Sequence, residues 1–267
     1  MTTGAAHELR LVLALTAAVW SWCAAWGCAP PAEHDPDAAP EGPYPLSVDP
    51  EDGSAGVFTD KIIRVRFSDH LDERSLRSGR LSLRSGSISL WVRSFYDPVR
   101  RDLVVWSSST MRKYATWSFG IEEGVRGLDG GEVAAGQVTS FRTGEQIGGE
   151  QPFERLNYED HVRPIFSSSC ASCHGGPGQP IAGLALDDAA GVASTLLGAP
   201  AEGWPGWKRA APGRPGESYL LYKLIGDERI AGLRMPRSFE GSGFAPPLAA
   251  AEQEAVADWL AGGAAFF

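Results

Sequence analysis

Between residues 44 and 144 apolar side chains recur at every second position, in short runs separated by turn residues. That alternation constrains the fold of this chain more than any other feature. In Lys61–Phe67 the side chains of Ile63, Val65 and Phe67 fall on one face, while Arg64 and Arg66 fall on the other. Further runs of this kind are 81–83, 88–95, 103–106, 114–121 and 138–142. Turn signals at Ser85-Gly86, Asp97-Pro98 and Asp129-Gly130-Gly131 stand between them. Short strands at this spacing predict an antiparallel β-sandwich. The segment contains no cysteine, so no disulfide ties its sheets together.

Upstream, residues 11–27 form an apolar stretch behind Arg10, which reads as an export signal. It ends in Ala25-Trp26-Gly27-Cys28. This resembles a bacterial lipobox in which Gly27 fits the small residue before the lipid-bearing cysteine. Ala25 and Trp26 depart from the pattern, and cleavage by an ordinary signal peptidase is the competing reading. The resemblance implies lipidation of Cys28, a membrane partner through that anchor, and an outer-membrane lipoprotein. Residues 29–43 hold five prolines and four acidic side chains, a composition that makes an extended tether rather than a core.

The four cysteines make a poor disulfide framework. Cys23 and Cys28 lie in the leader, and Cys170 and Cys173 are two residues apart. Cys170-Ala171-Ser172-Cys173-His174 is a C-x-x-C-H motif. Its spacing suits two thioether bonds to one porphyrin edge, with the next histidine beneath the iron. The sequence therefore predicts one covalent haem c, held by Cys170, Cys173 and His174. A thioredoxin-like motif would need a βαβ context that is missing here, and a zinc site would need four ligands. Met235, followed by Pro236 in a run that cannot be helical, is the expected second axial ligand, with His161 the alternative. His70, alone in its segment, reads as a loop residue.

Around the motif the period changes to that of helices. Tyr158, Val162, Ile165 and Phe166 share one stripe behind a possible Asn157 cap, with a kink or restart at Pro164. Residues 218–225 and 249–261 read as two further helices.

Two resemblances follow from these residues. Val48-Asp49-Pro50-Glu51-Asp52-Gly53, the strand 63–67 and Thr139–Gly144 resemble bacterial Ig-like domains of S-layer and surface proteins. His161–Ile165, Cys170–Gly175, Gly183–Asp187, Pro215–Ser218, Met235-Pro236 and Trp259–Ala264 resemble a single-haem bacterial cytochrome c domain. The second resemblance implies electron transfer, with His174 and Met235 as axial ligands and no catalytic residues.

The expected fold class is mixed and two-domain: an all-β Ig-like sandwich followed by a mainly α cytochrome c domain. The expected boundaries are 1–28 for the signal, 29–43 for the tether, 44–144 for the sandwich, 145–152 for a linker and 153–267 for the cytochrome domain. The expected protein is an electron carrier rather than an enzyme, with an unidentified redox protein as partner. The alternatives are a haem-based enzyme or gas sensor with an open distal site, and a haem-free surface-interaction lipoprotein. A net charge of −9 argues against nucleic acid as a partner.

Overall fold

The computed structural model describes residues 42–77, 79–176, 180–237 and 246–267. The expected signal, most of the tether and Cys28 lie outside the described residues. Residues 40–267 form one compact unit.

Among the described residues, nine strands build two sheets: β1 (Pro45–Asp49), β2 (Ala55–Val57), β3 (Ile63–Phe67), β4 (Leu81–Ser85), β5 (Ile88–Leu90), β6 (Val92–Asp97), β7 (Asp102–Ser107), β8 (Thr116–Ile121) and β9 (Gly136–Thr143). One sheet runs β1-β3-β7-β6, the other β2-β9-β8-β4-β5. Their inner faces share a core. Ile63, Val65, Phe67, Leu103 and Val105 come from the first sheet, and Leu83, Trp117, Phe119 and Phe141 from the second. The alternation in β3 survives in full, since its three apolar side chains are buried and Arg66 is exposed. The expected run at 88–95 is broken at Trp91, which is 79% exposed, and so forms two strands. The sandwich is also not wholly antiparallel. The short strand β2, which has too few apolar residues to register as alternating, pairs with β9 in parallel.

The second half does not form the separate, mainly α cytochrome domain expected from its sequence. Its regular helices are α1 (Arg163–Ser169), α2 (Tyr219–Ile225) and α3 (Ala250–Ala261). The described residues 171–176 and 180–218 between α1 and α2 are short helical turns, loops and isolated bridges, such as Leu197↔Ala210 and Pro200↔Lys208. The fold is dominated by its sheets, and the helices form an extension packed on them. The two parts share an apolar contact and ion pairs. Phe95 and Val104 of the sandwich bury Ala261 of α3, with Phe153 against them. Arg100 reaches from the β6–β7 turn to Asp258 at 3.0 Å and Glu254 at 3.1 Å on α3.

Local signals in this extension fare better. Asn157 caps as expected, accepting a hydrogen bond from the Asp160 N–H at 2.8 Å. The stripe at 158–166 restarts at Pro164: a π-type turn over Tyr158–Val162 gives way to α1, with the proline in its first turn where no donor is needed. Tyr158, Phe166 and Trp259 pack ring against ring in the core of the extension. At the start of α3 the Glu252 carboxylate accepts from the Ala249 N–H at 2.8 Å, doing part of the work of a missing cap side chain.

Candidate functional site

The end of α1 sets the geometry of Cys170 to His174. The Cys170 N–H donates to the Phe166 carbonyl, closing the helix. The Cys173 and His174 N–H groups both donate to the Cys170 carbonyl, at 3.1 and 2.9 Å. This tight turn brings both thiols and the imidazole to one place. Gly175 follows because nothing larger fits: a Cβ there would meet Asp187 Cβ at 2.8 Å and the Ala171 carbonyl oxygen at 2.9 Å. The imidazole is oriented by the next loop, with Nδ1 3.0 Å from the Ile181 carbonyl oxygen. A carbonyl only accepts, so Nδ1 carries the proton and Nε2 is left as an acceptor.

Met235 forms another side of the site, from a separate chain segment. Its N–H donates to the Lys223 carbonyl on α2 at 2.9 Å. Lys223 Nζ donates to the carbonyls of Ala231 and Leu233, at 2.8 and 2.7 Å, which folds residues 231–235 back along the helix. Between the two sides lies an apolar cleft of about 300 Å³, lined by Cys170, His174, Leu184, Leu220, Leu224 and Met235 among others. A neighbouring depression of about 260 Å³ shares Cys170, His174 and Met235 and adds Cys173, Ile181 and Pro236.

Burial sets the electrostatics here. It pushes the Cys170 thiol up to about 12, with the Cys173 and Glu252 charges adding to the effect. It also lowers the His174 imidazole, partly offset by the bond to Ile181, so the ring is neutral at pH 7. The site therefore presents a protonated Cys170 thiol, a thioether and a neutral imidazole on a mainly apolar surface.

Of the residues singled out by the sequence, Cys170, His174 and Met235 line the cleft, and Cys173 joins them in the neighbouring depression. His161 is not among them: it is exposed and accepts from the Asn157 N–H. The expected cofactor is corrected. Among the described residues no group of three or more His, Cys, Asp and Glu side chains converges so as to hold a metal ion. Cys170 and Cys173 are both free. The motif supplies only one histidine and two adjacent sulfurs from a single turn, and the spacing by itself does not establish a haem c, an iron centre or a cytochrome.

Sequence reasoning missed the walls of the cleft, Leu184, Leu220, Lys223 and Leu224. Helical periodicity marks the buried face of α2 without saying that part of it faces a cavity. His70 is a loop residue, as the sequence suggests, but its burial was not foreseen. This residue is buried against the extension, with Nδ1 3.1 Å from Tyr96 Oη and Nε2 3.3 Å from Asp227. Met111, in contrast, is buried in the sandwich core. Trp204 and Trp207 stack with centroids 4.5 Å apart and enclose Tyr222.

No helix among the described residues is long and apolar enough to cross a membrane. No protein-family model matches this chain, and no curated protein matches it. Among solved structures it is similar to the N-terminal part of the bacterial S-layer protein SbsC, at 14% identity and a TM-score of 0.32 over 53% of this chain and 29% of that one. It is similar to the copper-resistance protein PcoC of Escherichia coli, at 15% identity and a TM-score of 0.31 over 38% of this chain and 98% of that one. A third is L,D-transpeptidase 1 of Mycobacterium tuberculosis, at 15% identity and a TM-score of 0.27 over 38% and 39%. The sandwich assignment rests on the strand pairing above.

Proposed function

We propose that the protein is an exported electron-transfer protein that works from the cleft framed by Cys170, His174 and Met235. The observation that carries this reading is the convergence of a thiol, a neutral imidazole and a thioether, from two separate chain segments, on one apolar cavity. An aliphatic core would fill such a space, whereas a binding site keeps it open and places a few polar groups in it. Direct thiol–disulfide exchange is disfavoured. A thiol with a pKa of about 12 is thiolate in only about one molecule in 10⁵ at pH 7. In this proposal the redox group is a molecule that the protein binds in the cleft. Export, lipidation of Cys28 and residence at the outer membrane belong to the same proposal and rest on the residues before position 44.

Intact-mass measurement tests the reading on full-length protein purified from an expressing cell envelope, before and after treatment with an alkylating reagent. The expected result is a bound molecule retained in the native spectrum and slow alkylation of Cys170. A bare chain mass, with Cys170 and Cys173 both alkylated at once in the native state, would contradict it. That result would leave a surface-interaction protein.

A further inference from the structure

The segment that forms one wall of the cleft is tied at its far end to the sandwich. After α2 the chain turns at Gly226, whose φ of +76° is the left-handed conformation that ends helices. Asp227 then holds Arg229 by two bonds, Nε to Oδ1 at 2.9 Å and Nη2 to Oδ2 at 2.8 Å. The same guanidinium crosses to the sandwich. It reaches Asp69 at 3.0 Å and Asp129 at 3.1 Å. Asp227 makes a crossing of its own to His70, 3.3 Å away. Only two residues further on, the Ala231 N–H donates to Tyr219 Oη at 3.1 Å. Ala231 and Met235 both line the cleft.

We infer that Arg229, gripped by Asp69 and Asp129, is a positioning residue through which the sandwich holds the Ala231–Met235 wall of the cleft. Resting on the functional reading above, this makes the sandwich a structural part of the site and not a spacer. The clamp is well placed for the task. Arg229 is only 18% exposed, and its planar fork engages three carboxylates at once, so little freedom remains to the backbone that carries it. Burial works against the charge of Asp227, yet the Arg229 guanidinium overcomes it and keeps the carboxylate ionised.

The test compares full-length Asp69→Asn/Asp129→Asn protein with a control, Glu254→Gln. The control weakens the other ion-pair bridge to the sandwich and leaves the clamp alone. Amide hydrogen exchange is read at Ala231 and Met235, and binding of the amphipathic anionic dye 1-anilinonaphthalene-8-sulfonate is read in parallel. The clamp predicts at least ten-fold faster exchange at both amides and several-fold weaker dye binding in the double variant. Neither change is expected in the control, and Asp69→Glu/Asp129→Glu should restore much of the protection. Unchanged exchange in the double variant, or an equal rise in the control, would overturn the inference. Failure of the wild type to bind the dye counts against the functional reading alone, because the exchange data still decide the clamp.

Discussion

Burial keeps the Glu73 carboxyl mostly protonated at pH 7. It lies at 2% exposure between the sandwich and the Pro215–Glu217 turn, and neither of its carboxylate oxygens has a hydrogen-bond partner in normal geometry. Burial, with Glu217 nearby, pushes its carboxyl up to about 8; Arg214 and the Gly216 and Tyr96 amides offset this only in part. A raised carboxyl favours the folded state fully below the unfolded value of 4.5 and loses that contribution as pH rises toward 8. Glu73→Gln removes this dependence. Relative to wild type it should gain about 3 kcal/mol between pH 4.5 and pH 7, read as a widening gap in thermal or urea midpoints. His70 has the opposite sign. Burial lowers its imidazole to about 4 despite Asp227 and Asp69, with Arg229 and Arg101 opposing protonation, so its contribution is full above 6.5 and fades as pH falls toward 4. Neither burial was legible in the sequence. A lone histidine or glutamate among polar neighbours carries no local sign that a distant segment will cover it.

At the level of elements, local chemistry was read well and long-range pairing was not. The strand at 63–67, the Asn157 cap and the restart at Pro164 follow from period, capping and the missing proline donor, all of which act within a few residues. The parallel pairing of β2 with β9 spans most of the sandwich sequence and leaves no mark on three residues. The stripe Tyr158–Phe166 foretold a helix, but its partner is Trp259, nearly a hundred residues away. Trp259 is fully buried, packs on Tyr158 and Phe166, and donates from its indole N–H to the Ala265 carbonyl at 2.9 Å. Trp259→Ala should therefore cost about 3–5 kcal/mol in chemical denaturation, by cavity formation in the core of the extension. A loss under 1 kcal/mol would show that α3 does not organise that core.

For the whole molecule, the period change at residues 145–152 suggested two independent bodies, while the structure joins them through buried charge. Arg100 is shared by Asp97, whose side chain is 4% exposed, and Asp258, at 10%. Burial raises both carboxyls, against the pull of Arg100. Arg100→Met would strand these two acids without a cation. It should destabilise the protein by about 3 kcal/mol, with the sandwich and the extension still unfolding in a single transition. Two separate transitions in the wild type would contradict the joined architecture. The cleft residues were found because C-x-x-C-H and Met235-Pro236 are short motifs. The bond from sandwich to cleft wall was not, since it depends on charges 100 and 160 residues apart.

The proposed electron transfer works from the cleft lined by Cys170, His174 and Met235. Potentiometric titration of envelope-purified wild-type protein beside Met235→Ala measures it most directly. A reversible one-electron wave in the wild type that shifts or disappears in the variant is the predicted result. A wave of identical midpoint in both proteins, or none in either, would contradict the account.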